Sequence, residues 1–264
     1  MREVDCPYGP GMVGLISGDD QARYHHLMVS LDALQVPRRT VYAHATSCNP
    51  ARNTNNLVKM FLKEPHLEWL WIMGDDHCFE EDCLMKLMAH GKDCIMPLTP
   101  RRQFPFDSVL LKDWQPSKGI AQWYTWEEIE RFTEPFPIAA GGSAGLLVKR
   151  RVFESMSTPY FQVGRYIMDD LQEDVFFTAR CNSIGYTVYC DPFTTLGHLT
   201  TAIMFPRRNE TGQIGIAANM SGFKMMLVPP GYTATRDADS NDHIVKRPAW
   251  VEMPEVAENL VKIP

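Results

Sequence analysis

No stretch of this chain approaches the ~18 consecutive apolar residues that a membrane-spanning helix needs. Its first residues, Met1-Arg2-Glu3-Val4-Asp5, are charged where a secretory leader would be apolar, so the expectation is a cytoplasmic protein with no membrane partner. The seven cysteines are odd in number and show no CxxC spacing, and Cys94, Cys181 and Cys190 sit in apolar runs. Free buried thiols in a reducing compartment are therefore expected. An excess of positive charge is missing too: the net charge is −6, which gives no electrostatic reason to bind nucleic acid. The four Arg-Arg pairs, at 38–39, 101–102, 150–151 and 207–208, are scattered and read as solvated faces. A phosphate loop of the GxxxxGK[ST] form is absent, as are internal repeats and low-complexity tracts.

What is present is the composition of an ordinary globular protein, 45% hydrophobic and 22% charged over 264 residues, enough for one large core. The most informative segment is a hydrophobic run that stops on acids: Trp69-Leu70-Trp71-Ile72-Met73, then Gly74-Asp75-Asp76-His77. A buried strand over 69–73 would deliver two carboxylates and an imidazole at its C-terminal end, where open α/β sheets bind ligands. Two acids and a histidine in a row are costly to bury unless a cation holds them, and carboxylate with imidazole suits Mn²⁺ better than Mg²⁺. A solvated acidic turn is the bland alternative.

Periodicity places strands at 11–17, 41–45, 69–73, 93–98, 138–148 and 186–190, with helices at 21–34, 51–63, 80–90, 126–131, 151–156 and 172–184. The first ~75 residues thus read β-α-β-α-β, which argues for a parallel sheet. Residues 99–136, rich in Trp, Phe and Pro, read as a hairpin insertion, and 200–224 as a mobile glycine-bearing loop.

Five elements, in order, resemble those of GT-A-fold glycosyltransferases of the family-2 kind. Ala51-Arg52-Asn53 resembles a helix start common in that family, and Asp75-Asp76-His77 takes the place of its DxD motif, in DxH form. The stretch Gly141-Gly142-Ser143-Ala144-Gly145-Leu146-Leu147-Val148-Lys149-Arg150 resembles its glycine-bearing acceptor-side strand. Glu173-Asp174-Val175-Phe176-Phe177 is similar to its ED element, and Gly185-Tyr186, Asp191-Pro192 and Gly197-His198 to its closing stretch.

The resemblance spans residues 11–200. It implies a GT-A fold: an α/β domain with a mainly parallel central sheet flanked by helices and a small β insertion at 99–136. Residues 1–200 would form the catalytic domain, and 201–264 a C-terminal lid loop and extended tail of the same domain. The implied activity is metal-dependent transfer of a sugar from a nucleotide-diphospho-sugar, a UDP-sugar first, to a hydroxyl acceptor. Asp75, His77 and His198 are then the expected ligands of Mn²⁺ (or Mg²⁺), while Asp76, Ser17, Arg52, Arg207 and Arg208 are the expected donor contacts. Gly141, Gly142 and Trp123 are expected on the acceptor side. Asp174 is the expected general base of an inverting transfer, with Glu173 orienting it; in a retaining transfer Asp174 would position the acceptor instead. The alternatives are a DNA-modifying glycosyltransferase acting on hydroxymethylated bases, a nucleotidyltransferase of the same fold, and a non-catalytic sugar- or nucleotide-binding module.

Overall fold

Apolar residues along 69–73 alternate between the two sides of a strand, as side chains in extended chain must. Leu70 and Ile72 join one buried cluster with Leu57, Phe61, Phe153 and Phe177, while Trp69, Trp71 and Met73 join a second with Leu27, Leu84 and Leu87. A sheet buried on both faces, with helices on each side, is the result. The computed structural model describes residues 1–17, 24–47, 49–102, 107–118, 120–163, 172–200, 202–208, 214–220, 223–227, 232–236 and 242–246, with side chains up to residue 200.

Two compact units, Met1–Leu199 and Thr200–Pro264, divide the chain. The first begins β1 Arg2–Val4, β2 Met12–Ser17, α1 Tyr24–Ala33, β3 Gln35–Pro37, β4 Val41–Thr46, α2 Pro50–Lys63, β5 Trp69–Gly74 and β6 His77–Cys78. It continues α3 Cys83–Ala89, β7 Cys94–Leu98, β8 Leu110–Gln115, β9 Ile120–Trp123, α4 Trp126–Ile129, β10 Phe136–Ile138, β11 Ala140–Gly141 and β12 Leu146–Lys149. It closes with α5 Arg150–Glu154, α6 Glu173–Ser183, β13 Val188–Thr195 and β14 Gly197–His198. Local chemistry explains the boundaries of α2. Asn49 caps it by accepting from the Arg52 N–H at 3.0 Å, Pro50 opens it, and its apolar face carries Leu57, Val58 and Phe61.

The central sheet has seven strands in the order β10-β13-β7-β12-β5-β2-β4. It is mixed, which corrects the expectation of a mainly parallel sheet. The pairs β2–β4, β2–β5 and β13–β7 are parallel, but β12 runs antiparallel to both β5 and β7, and β10 antiparallel to β13. The cause is the excursion between β7 and β12. It leaves from the C-terminal end of one strand and returns at the same edge, so the next strand has only the reverse direction open to it. Within that excursion, β11, β8 and β9 form the expected small antiparallel sheet. The helix α4 that follows β9 starts on a capping box between Thr125 and Glu128.

This arrangement gathers one edge of the sheet. Ser17 pairs with Thr46 and Ile16 with Gly74, so β2, β4 and β5 end together. Leu98 at the end of β7 pairs with Thr195 at the end of β13. Leu146, the first residue of β12, lies opposite Ile72, so the glycine-bearing residues before it sit at that edge as well.

The second unit differs from expectation. Residues 200–224 were expected as a loop; instead β15 Ala202–Arg208, β16 Ile214–Met220 and β17 Phe223–Leu227 form an antiparallel three-stranded sheet. A hairpin of β18 Tyr232–Arg236 and β19 Asp242–Lys246 follows. Arg207 and Arg208 thus end an edge strand, paired through the backbone with Gly215 and Ile214.

Candidate metal centre and catalytic edge

The turn after β5 folds back because Gly74 has no side chain: a Cβ there would lie 3.0 Å from both Asp76 Oδ1 and His77 Nδ1. The chain then pairs β6 with β14, setting His77 directly opposite His198. Directly opposed residues in an antiparallel pair are close neighbours. The two imidazoles accordingly stack at 4.4 Å and 27°, and the Leu199 N–H donates to the Asp76 carbonyl at 2.7 Å, closing the turn.

Asp76 completes the cluster. Its Oδ1 lies 2.9 Å from His77 Nδ1, and its Oδ2 lies 3.2 Å from His198 Nε2. One ligand atom from each of Asp76, His77 and His198 falls within 4.8 Å of the others. The structure therefore brings Asp76 onto the histidines where the sequence pattern pointed to Asp75. Alternation holds for extended chain, but residues 75 and 76 form a turn, so positions one and three no longer share a side. Asp75 is buried in that turn at 7% exposure, outside the cluster of three.

Two observations test whether these residues fit a cation. His77 is 5% exposed, and neither of its ring nitrogens has a hydrogen-bond partner. The 2.9 Å approach of Asp76 is thus an ion-pair distance without hydrogen-bond alignment. Orphaned buried nitrogens are rare and expensive unless something occupies them. His198, by contrast, has its second nitrogen fixed: Nδ1 lies 2.8 Å from the Pro100 carbonyl, and an Nδ1–H donated there leaves Nε2 as the ligating atom. The donor set of two imidazoles and one carboxylate fits Mn²⁺ better than Mg²⁺. Burial alone would push the Asp76 carboxyl up, but the imidazoles of His198 and His77 beside it hold it well below the usual carboxylate range.

The acidic pair at the start of α6 lies over the glycine turn. Gly141 and Thr178 exchange hydrogen bonds, N–H to Oγ1 at 2.9 Å and Oγ1–H to carbonyl at 3.0 Å. A Cβ on Gly142 would sit 3.6 Å from Asp174 Oδ2. Burial pushes the Asp174 carboxyl up to about 7, and the neighbouring Glu173 adds to the rise. Backbone N–H groups, including those of Val175 and Ser143, oppose it. Glu173 is also raised by burial. Gly145 holds the turn in place with φ +67°; a side chain there would meet Pro97 at 2.7 Å, and its carbonyl accepts from Trp71 Nε1 at 2.8 Å.

The remaining expected residues divide. Ser17 is buried at the end of β2, its hydroxyl 2.7 Å from His44 Nε2 and 3.1 Å from Thr46 Oγ1. Arg52 is exposed and contributes its backbone N–H to the cap of α2, whereas its neighbour Asn53 is buried and donates to the Ser17 and Ser47 carbonyls. Trp123 stands on β9 with the Arg101 guanidinium 3.9 Å over its ring. Arg207 and Arg208 belong to the second unit.

Sequence reasoning missed Arg102, whose Nη1 lies 2.9 Å from Asp76 Oδ2, and the role of Pro100. The Arg101-Arg102 doublet right after a strand end was the available signal.

No protein-family model and no curated protein sequence matches the chain. Among solved structures it is similar to protein A197 from STIV, at 15% identity and a TM-score of 0.44, covering 92% of this chain and 98% of that one. It is also similar to GalNAc-T7 with UDP, GalNAc and Mn²⁺, at 11% identity and a TM-score of 0.46, covering 71% of this chain and 44% of that one. A third is S. aureus TarS 1-349, at 9% identity and a TM-score of 0.42, covering 72% of this chain and 60% of that one.

Proposed function

We propose that this chain is a glycosyltransferase that moves the sugar of a nucleotide-diphospho-sugar, a UDP-sugar first, to a hydroxyl acceptor with the help of a divalent cation, Mn²⁺ ahead of Mg²⁺. The observation that carries the reading is the convergence of Asp76, His77 and His198 at the ligand-binding edge of the sheet, with both ring nitrogens of His77 buried and without a hydrogen bond. Asp76, His77 and His198 would hold the cation. Bound there, it would offset the negative charge that builds on the departing diphosphate.

The chain's own groups divide the remaining work. The Pro100 carbonyl keeps His198 in the tautomer that presents Nε2. Ser17, with His44 and Thr46, forms a polar floor at the ends of β2 and β4, suited to the nucleoside end of the donor. Asp174, raised to about 7, is divided between acid and base at neutral pH, as a proton acceptor for a hydroxyl should be. In an inverting transfer the acceptor oxygen bonds to the anomeric carbon, the bond to the diphosphate breaks, and the hydroxyl proton passes to Asp174. Gly142 and Ser143, against the Asp174 carboxyl, allow the acceptor to approach along the backbone. Trp123 offers a flat face on the same insertion for a sugar ring or base.

Isothermal titration with UDP and a panel of UDP-sugars, with and without Mn²⁺, tests the reading. Binding that requires the metal is expected; no nucleotide binding under any metal condition refutes it. Transfer of labelled sugar to a glycan array and to hydroxymethylated DNA then identifies the acceptor.

A further inference from the structure

The segment 99–102 crosses the metal centre and is tied down at each residue that reaches it. The Pro100 carbonyl takes one nitrogen of His198, the Arg101 guanidinium lies 3.9 Å from the centre of the Trp123 ring, and Arg102 reaches Asp76 Oδ2 at 2.9 Å. Arg102 differs from the others in one respect: it occupies an oxygen that a cation would need. Asp76 Oδ2 also faces His198 Nε2 at 3.2 Å, so the guanidinium stands beside the gap between the carboxylate and the imidazole. The Arg102 side chain is 44% exposed against 12% for Asp76, so it has room to leave and Asp76 does not. Two cations cannot share one carboxylate oxygen at bonding distance without strong repulsion.

We propose that Arg102 is a stand-in cation. Its guanidinium holds Asp76 Oδ2 in the metal-free chain, gives that oxygen up when a divalent cation arrives, and then pairs with the diphosphate that the cation recruits. This rests on the metal-centre reading above. The fork of a guanidinium matches phosphate oxygens well, and the half-exposed guanidinium regains water as it leaves while the arriving cation takes its place on the buried carboxylate. The exchange couples the two ligands: metal without nucleotide leaves Arg102 displaced and unpaired, whereas metal with diphosphate gives it a new partner. Metal and nucleotide then bind more tightly together than apart.

The test is titration calorimetry on the full chain, stripped of metal with chelator, using Mn²⁺ alone and then UDP at saturating Mn²⁺. Arg102→Ala is expected to bind Mn²⁺ alone about two- to fivefold more tightly than the parent chain, because the cation competing for Asp76 Oδ2 is gone. The same variant is expected to bind UDP about tenfold more weakly at saturating Mn²⁺, having lost a charge-assisted contact. Arg101→Ala removes the same charge from the adjacent residue and should leave Mn²⁺ affinity unchanged. Arg102→Lys, which keeps the charge but not the fork, should fall between. Unchanged or weaker Mn²⁺ binding by Arg102→Ala overturns the proposal, as does equal tightening in Arg101→Ala or undiminished UDP binding. Absence of Mn²⁺ binding in the parent chain and every variant is a different outcome, which removes the metal centre itself.

Discussion

Replacing His77 by Leu should leave the metal-free protein about as stable as before, while abolishing its response to metal. His77 is 5% exposed and both of its ring nitrogens lack hydrogen-bond partners. A buried unsatisfied polar group costs about 1–3 kcal/mol, and that cost disappears with the imidazole. Against it stand the ring stack with His198 at 4.4 Å, worth ~0.5–1.5 kcal/mol for an aromatic pair, and the 2.9 Å approach of Nδ1 to the buried Asp76 carboxylate. The balance is close to neutral, within roughly 1 kcal/mol, a Tm change of no more than about 4 °C at ~2–4 °C per kcal/mol for a domain of this size. Metal reverses the comparison. At about a hundred times its Kd, a ligand of the folded state adds ~2.7 kcal/mol, roughly 5–10 °C in Tm. The parent chain should show that shift with Mn²⁺ and the variant should not. Differential scanning calorimetry in chelator and in excess Mn²⁺ reads both numbers. A variant that melts more than about 4 °C early in chelator, or that keeps the Mn²⁺ shift, would refute the reasoning: His77 would then be an ordinary packed residue.

Asp174→Asn should abolish transfer, and the parent chain's kcat/KM should climb with pH to a plateau above about 7, where Asp174 is ionised; a profile flat from pH 5 to 8 contradicts the base role. Its carboxyl is raised on folding, so the cost of ionising it accumulates from the ordinary carboxylate range up to about pH 7 and stability falls through that window. The Asn variant should lose that part of the fall when Tm is compared at pH 5 and pH 8. Arg150→Ala should cost about 2–4 kcal/mol in urea unfolding, less than the sum of three charged-donor hydrogen bonds at ~1.5–3 kcal/mol each because water reaches the freed carbonyls at this partly exposed site. This side chain donates to the Leu67, Phe61 and Glu64 carbonyls at 2.6, 2.9 and 2.5 Å and covers the Phe61 ring. Arg150→Lys should recover less than half of the loss, because an ammonium lacks the fork.

Local pattern carried the first half of the fold. The alternation of residues 69–73 and the Asn49-Pro50 helix start are properties of neighbouring residues, and α2 and β5 form close to where those signals put them. The direction of β12 was invisible for the opposite reason. Its reversal depends on pairing Leu147 with both Trp71 and Ile95, contacts that no local window contains. In the tail, glycine and methionine hid a strand pattern: Ile214 to Met220 and Phe223 to Leu227 flank a Ser221-Gly222 dipeptide, a hairpin signal that outweighs the composition. At the site, the residue types were legible and their partners less so. Asp76, His77, His198, Asp174 and the glycine turn gather at the expected edge, yet the choice between Asp75 and Asp76 turned on a turn geometry that sequence spacing does not encode. Arg150 and Arg102 were read as solvated because their partners are backbone carbonyls and a carboxylate distant in sequence.

The antiparallel placement of β12 has an evolutionary consequence. Because β7 and β12 are paired side by side, Ile95 against Leu147 and Cys94 against Val148, the chain leaves the sheet and rejoins it at adjacent points. Most of what lies between, from β8 through α4, is a detour outside that sheet; β10 alone returns to it, to pair with β13. Lengthening such a detour costs only loop-closure entropy, ~0.6 kcal/mol per doubling. Asp76, His77, His198 and Asp174 lie at the end of β5, on β6, on β14 and on α6, outside the detour. A lineage with this topology can therefore exchange one partner-recognising cassette for another at nearly constant stability, and relatives should diverge in length there before anywhere else in the first unit.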